Sequence, residues 1–150
     1  MKKVAINGFG RIGRLVFRII EEKDDIEVVA INSLSSPEEL AYLLKYDTNH
    51  RRYEKNITFD DNNIYVNERK IVVYQEMDPK NLPWKELEVD IVLECTGVFT
   101  KKDLAMKHIN AGAKKVIVSA PSDGDVKTIV LSFSFLFFFV GYLLILISSD

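Results

Sequence analysis

One cysteine, Cys95, is the only thiol in 150 residues, which excludes an internal disulfide framework and any multi-cysteine metal site. Neither sign of charge is in excess. Twenty basic against 22 acidic residues leave a net charge of −2, which argues against a dedicated nucleic-acid binder. The amino terminus turns polar and glycine-rich after Val4-Ala5-Ile6, too short an apolar run for a secretory signal. No internal repeat is present. What remains, 47% hydrophobic and 28% charged, is the mix of one ordinary globular domain. A chain of this length buries roughly two-thirds of its unfolded surface without a metal or disulfide to help. The expectation is a soluble intracellular domain, with one exception at the far end.

That exception is a break in composition. All 20 basic residues, both histidines and 21 of the 22 acids lie in residues 1–130. From Ile129 to Ile147 the chain runs 19 residues without a charge, and 14 of residues 131–150 are Leu, Phe or Ser. As a helix this run would be roughly 28 Å long, about the thickness of a bilayer core, so it is a transmembrane candidate by hydropathy. Phe133–Val140, with no charge or proline, equally reads as an aggregation-prone strand. Leu, Phe, Ser and Ile are the residues of T-rich codons, and the abrupt switch favours a frameshifted or truncated product over a membrane anchor. Residues 1–130 and 131–150 are therefore read as separate parts.

Within the first part, strand and helix patterns alternate. Lys3–Asn7 is a short apolar strand running into Gly8, and Ile12, Leu15, Val16 and Ile19 recur at the spacing of one helix face. Glu27–Asn32 is a second buried strand. Ser36-Pro37-Glu38-Glu39 is a helix start, with a hydroxyl cap, proline at the first position and Glu three residues on. From Ile57 to Gln75 the pattern changes to short β segments, with turns at Asp60-Asp61-Asn62-Asn63 and Asn67-Glu68. Val89–Cys95 and Lys115–Ser119 are further apolar strands, with a helix over Leu104–Ala111 between them. Alternating βαβ units with unbroken apolar strands predict an α/β domain, doubly wound around a parallel sheet.

Gly8-Phe9-Gly10-Arg11-Ile12-Gly13 stands where the first strand gives way to the first helix. In a dinucleotide site Gly8 permits the tight turn, Gly10 lets backbone approach a pyrophosphate, and Gly13 lets the helix lie close on the strand. The helix start offers free N–H groups and the positive end of its dipole to phosphate. The three glycines alone would be weak grounds. The strand, loop, helix and second strand around them, at the right distances, make the dinucleotide reading the stronger one. Such a site expects an acid at the tip of the second strand to hold the adenosine ribose. Here the tip reads Ile31-Asn32-Ser33-Leu34, and Ser33 can hydrogen-bond a ribose but cannot repel a 2′-phosphate. The competing reading makes Ser33 a turn residue only.

Asn7-Gly8-Phe9-Gly10-Arg11-Ile12-Gly13-Arg14 resembles the opening of glyceraldehyde-3-phosphate dehydrogenase. The resemblance continues, in order, through Ala41-Tyr42-Leu43-Leu44-Lys45-Tyr46-Asp47-Thr48, Asp78-Pro79-Lys80-Asn81-Leu82-Pro83-Trp84, Glu94-Cys95-Thr96-Gly97-Val98-Phe99 and Gly112–Ser122. It covers residues 1 to about 130 and implies a Rossmann domain that binds NAD in a cytoplasmic, glycolytic oxidoreductase. It places Asn7, Gly8, Gly10, Arg11, Ile12 and Gly13 in the cofactor loop, with the Arg11 and Ile12 backbone N–H groups at the pyrophosphate. Ser33 matches the ribose-binding acid, Met77 a position on the adenine side, and Thr96 and Ser119 strand ends along the nicotinamide half. The substitution at Ser33 leaves NADP as a possible cofactor. Family members form homotetramers. Their catalytic cysteine, base histidine and phosphate-binding residues belong to a second domain after about residue 150, so this chain is expected to bind cofactor at most. A tail-anchored, non-catalytic nucleotide-binding module is the alternative. A Rossmann domain of an aspartate-semialdehyde dehydrogenase type fits the Leu-Leu-Lys-Tyr-Asp and Gly112–Ser122 strings less well.

The remaining reactive residues have plainer readings. Cys95 matches no catalytic position and has no neighbouring Lys or His in sequence, so it is a strand-end packing residue. His50, Arg51, Arg52 and Lys55 around Tyr53 read as a solvated basic loop rather than a nucleic-acid patch. His108 reads as a surface or cap residue. Asp60-Asp61, with no glycine or distal Glu to complete a calcium loop, is turn chemistry.

Overall fold

The computed structural model describes residues 1–47, 51–120, 127–131 and 142–148. Its strands are β1 (Lys2–Asn7), β2 (Ile26–Asn32), β3 (Tyr46–Asp47), β4 (Arg51–Arg52), β5 (Ile57–Phe59), β6 (Asn63–Val66), β7 (Arg69–Tyr74), β8 (Ile91–Glu94), β9 (Lys115–Val118), β10 (Lys127–Leu131) and β11 (Tyr142–Ser148). The helices are α1 (Arg11–Ile20), α2 (Pro37–Lys45) and α3 (Lys102–Asn110), with a 3₁₀ turn over Pro79–Asn81. Nine strands form one sheet in the order β10-β11-β9-β8-β1-β2-β7-β6-β5, while β3 and β4 pair separately.

The five central strands, β9-β8-β1-β2-β7, are all parallel, as the βαβ alternation predicts. The chain leaves β1 toward β2 on one side and returns to β8 on the other. The β1/β8 boundary is thus the switch point at which an open α/β sheet binds ligands, at the carboxyl ends of its strands. Successive residues of β1 feed two cores: Val4 and Ile6 pack with Phe17 of α1 and Leu40 and Leu44 of α2, and Ala5 packs with Trp84 and Ala105 of α3. Small residues in the strands, Ala5 and Ala30, make room for the fully buried Trp84. The pairing of β1 with β2 shifts by one residue between Val4 and Ala5, so Val29 is the extra residue of a bulge.

The helix starts follow their local chemistry. Ser36 accepts from the Glu39 N–H at 3.3 Å and Glu39 accepts from the Ser36 N–H at 3.0 Å, the reciprocal box expected before Pro37. The inward face of α1 differs from the expected one. Ile19 is 48% exposed, and the buried residues are Gly13, Phe17 and Ile20. The helix is oriented by where a side chain cannot fit, at Gly13, and positions four and seven residues later turn inward with it.

The β segments of residues 57–75 extend the main sheet instead of standing apart from it. β7 joins β2 in parallel, and β6 and β5 follow antiparallel. Asn67 and Glu68 both take positive φ (46° and 69°) in the two-residue hairpin turn between β6 and β7. At the opposite edge, β11 pairs antiparallel with β9, and β10 with β11. The described parts of Ile129–Ile147 are strand and not the helix that hydropathy allows, with β11 paired on both sides and β10 paired with β11 at the edge. Among the described residues, no helix is long and apolar enough to cross a membrane. Phe133–Val140, His50 and Ser122 lie outside the described residues.

Candidate nucleotide-binding site

The glycine loop sits at the switch point, and its three glycines differ in what constrains them. Gly8 has φ +91°, its N–H donates to the Asn32 carbonyl of β2 at 2.8 Å, and a Cβ there would lie 2.7 Å from the Thr96 nitrogen. At Gly13 a Cβ would lie 2.2 Å from the Gly8 carbonyl oxygen. Both positions are therefore closed to other residues by the protein's own backbone. At Gly10 a Cβ would meet nothing within 4 Å. The protein leaves open the one place where a pyrophosphate needs close approach. Phe9, between them, is buried edge-on against Phe17 with ring centroids 5.6 Å apart, which pins the loop to α1.

Gly10 is the N-cap of α1. No side chain caps it, and the first turn carries no acid, so the positive end of a ten-residue helix faces this opening. Arg11 is exposed beside the opening, while Arg14 turns back to donate to the Phe9 carbonyl at 3.0 Å. Ile12 is half-buried one residue on.

Of the other expected site residues, Ser33 directly follows β2, half-buried, its N–H donating to the Tyr74 carbonyl at 2.9 Å. Met77, beyond the end of neighbouring β7, is 78% exposed. Thr96 follows β8 and is the residue on which Gly8 rests. Ser119 follows β9, with its N–H and hydroxyl both donating to the Glu94 carbonyl, at 3.0 and 3.1 Å. The sheet thus gathers the strand ends carrying Gly8, Ser33, Met77, Thr96 and Ser119 at one edge.

Asn7 differs from its neighbours in the loop, because its side chain points inward. It is 1% exposed, pairs with Asn32 of β2 and Glu94 of β8 in the strand register, and is bonded to both. Asn32 Nδ2 donates to Asn7 Oδ1 at 2.7 Å, and Asn7 Nδ2 donates to Glu94 Oε2 at 2.5 Å. The row continues at both ends. Asn32 exchanges two bonds with the Glu76 backbone, both 2.9 Å, and Glu94 Oε2 lies 2.9 Å from His108 Nε2. Trp84 Nε1 donates to His108 Nδ1 at 3.0 Å.

His108 is therefore not a surface or cap residue. It is fully buried between Trp84 and Glu94, because α3 lies with this face on the sheet. Asn32, Glu94 and His108 were not among the residues expected to matter. The signal available in sequence was that three apolar strands each end in a polar residue, at Asn7, Asn32 and Glu94. Cys95 packs against the α1–α2 core, and burial pushes its thiol up to about 11, which suits a packing residue and not a nucleophile. In the basic cluster, Lys55 is bonded to the Glu21 carbonyl and carboxylate, and Arg52 lies over the Tyr46 ring.

A family model described as the glyceraldehyde 3-phosphate dehydrogenase NAD-binding domain matches residues 2–102. The chain belongs to the glyceraldehyde-3-phosphate dehydrogenase family. It is 54% identical over 129 residues to glyceraldehyde-3-phosphate dehydrogenase 2 of Bacillus subtilis, covering 86% of this chain and 38% of the relative. To the Clostridium pasteurianum glyceraldehyde-3-phosphate dehydrogenase it is 53% identical over 132 residues, covering 88% and 40%. The Thermotoga maritima protein is 52% identical over 133 residues, covering 87% and 40%. The chain spans about two fifths of the length of the curated relatives it matches. The matched residues 2–102 contain the glycine loop and strands β1 to β8.

Proposed function

We propose that this chain is the cofactor-binding part of a phosphorylating glyceraldehyde-3-phosphate dehydrogenase acting in glycolysis in the cytoplasm. The observation that carries the reading is the opening at Gly10: no protein atom needs it, and it faces the uncapped start of α1. The backbone N–H groups of Arg11 and Ile12 would take the pyrophosphate, with Gly8, Gly10 and Gly13 shaping the turn under it. Ser33 would meet the adenosine ribose, Met77 the adenine side, and Thr96 and Ser119 the nicotinamide half. Asn7 would act from below, as support for the turn. When bound, the dinucleotide supplies the hydride acceptor. The chain's own residues bind and orient it.

Aldehyde oxidation by this family uses a cysteine nucleophile and a base within hydrogen-bond reach. Cys95 fills neither role, so residues 1–150 alone bind cofactor without turning over substrate. Assembly into homotetramers belongs to the complete enzyme. Residues 131–150 are a hydrophobic tail with the composition of a shifted reading frame, whose strand β11 adds to the sheet beside β9.

The cofactor choice is open to NADP as well as NAD. An acid at the tip of β2 would accept from the ribose hydroxyls and repel a 2′-phosphate, and Ser33 keeps only a weakened form of the first effect. Charge-assisted hydrogen bonds contribute about 1.5–3 kcal/mol and neutral ones about 1, so NAD should bind about tenfold more weakly than with Asp. Along the sequence from Ser33, no Arg or Lys appears until Lys45, so no adjacent cation rewards the 2′-phosphate. Titration of NAD and NADP into the chain and its Ser33→Asp variant tests this. The expected result is little discrimination in the parent and about a tenfold gain for NAD over NADP in the variant. An unchanged ratio would reduce Ser33 to a turn residue.

A further inference from the structure

Four donors converge on the two oxygens of one buried side chain. Glu94 is 1% exposed. Its Oε1 accepts from the Thr96 N–H at 2.8 Å and from the Thr96 hydroxyl, and its Oε2 accepts from Asn7 Nδ2 at 2.5 Å. The fourth donor follows from chemistry. An indole nitrogen only donates, so the Trp84–His108 bond requires His108 Nδ1 to be bare. The imidazole hydrogen is then on Nε2, 2.9 Å from Glu94 Oε2. Asn7 Nδ2 and His108 Nε2 are 3.4 Å apart, and as two donors they do not bond to each other; both aim at the carboxylate.

The orientations along the row are fixed in the same way. The Glu76 N–H can only donate, which sets Asn32 Oδ1 toward it and Asn32 Nδ2 toward Asn7. Asn7 must then present its oxygen to Asn32 and its nitrogen to Glu94. From Asn32 through Asn7 on one side, and from Trp84 through His108 on the other, each side-chain bond points toward Glu94, which receives from both sides. This is the donor set of an ionised carboxylate, one for which an amide is a poor substitute.

Two of the three residues bonded to the Glu94 carboxylate define the glycine turn. Asn7 precedes Gly8, and Thr96 is the surface on which Gly8 rests, with 2.7 Å between the Thr96 nitrogen and the place of a Gly8 Cβ. A shift of either moves the loop. We propose that Glu94 is a positioning residue for the cofactor: from beneath the sheet's edge it holds Asn7 and Thr96, and through them the turn that receives the pyrophosphate. The proposal rests on the cofactor reading above. An apolar side chain would be the cheaper occupant of a buried strand end, which is why a fully satisfied carboxylate under a ligand loop points to position rather than to stability.

The test uses the ¹⁵N-labelled 150-residue chain, in which Trp84 is the sole tryptophan, so one indole N–H resonance reports the row. Glu94→Gln should move that resonance, move the Gly8 and Gly10 amide resonances, and weaken NAD binding about tenfold with the far-ultraviolet dichroism retained. Thr96→Val should weaken NAD about threefold and leave the indole resonance in place, and Thr96→Ser, which keeps the hydroxyl, should recover part of that loss. A folded Glu94→Gln variant that binds NAD as the parent does overturns the proposal. If Glu94→Gln does not fold, equal affinities for Thr96→Val and Thr96→Ser overturn it. If the parent itself does not bind NAD, the cofactor reading falls, and the positioning claim is decided by the glycine amides, whose indifference to Glu94→Gln or Thr96→Val overturns it.

Discussion

The two ends of the central strands carry comparable numbers of polar groups and use them in opposite ways. At the amino end, Lys3 pairs with Glu88 at 2.9 Å and Lys114 with Asp90 at 2.6 Å, and the Lys3 N–H donates to Asp90 at 2.9 Å. One partner of each pair stands in water, Glu88 at 77% and Lys114 at 67% exposed, while Lys3 and Asp90 are half-buried. Solvent can replace each partner, which is why surface pairs of this kind contribute little. At the carboxyl end, Asn7, Asn32, Glu94 and His108 are all 5% exposed or less. Their donors and acceptors are matched to one another within the protein, in positions closed to solvent. An ordered buried row is what a sheet needs under a loop that must hold its shape, whereas the other end has only to be soluble.

Breaking the carboxyl end should have the largest effect. Gly13→Ala drives a Cβ to 2.2 Å from the Gly8 carbonyl, so either α1 or the turn must move. The expected cost is on the order of 3 kcal/mol, the upper range for an overpacked site. For a chain of this size that lowers the unfolding midpoint by roughly 6–12 °C, and thermal denaturation checks it. A midpoint within about 2 °C of the parent would mean the loop is not held as described.

The amino end should respond much less, and with a definite pH signature. Lys114, and next the Lys3 N–H, hold the Asp90 carboxyl below the usual carboxylate range. A group whose pKa is depressed by folding adds stability above its unfolded value and loses it as pH falls through the folded one. The contribution of Asp90 is thus complete at neutral pH, begins to fall near pH 4, the usual carboxylate value, and is lost as pH drops through the lower folded value. Asp90→Asn should leave the carboxyl-end resonances unmoved and produce a small loss at pH 7 that shrinks by pH 3. Paired thermal melts at the two pH values measure it, and an effect as large at pH 3 as at pH 7 would assign Asp90 a role other than its charge.

Much of this contrast was legible in the sequence, and what was not has physical reasons. The apolar strands, the Ser36 capping box and the Asn67-Glu68 turn are local, and local chemistry settled them. The glycine spacing likewise marked the turn from β1 into α1. Periodicity points to a different face of α1 because it counts apolar residues, while Gly13, the smallest residue in the helix, decides which side approaches the sheet. The buried row is non-local. It joins Asn7 to Asn32 and to Glu94, 25 and 87 residues away, through the register of three strands, one of them bulged. His108 looked unremarkable until α3 placed it between Trp84 and that carboxylate. The tail strands were hidden by hydropathy, since an uncharged apolar run reads the same whether it becomes a helix or an edge of a sheet.

The sharpest measurement is at Gly10, the one glycine of the loop that the protein does not itself require. A Cβ there meets nothing within 4 Å, and the backbone, with φ −75°, is open to any residue. Gly10→Ala should therefore leave the unfolding midpoint of the chain unchanged. Isothermal titration should show NAD binding weakened at least tenfold, because the methyl group occupies the space the pyrophosphate needs. Unchanged stability together with lost affinity is the result expected if the carboxyl end of the sheet is a dinucleotide site. Unchanged stability with parental NAD affinity would contradict it.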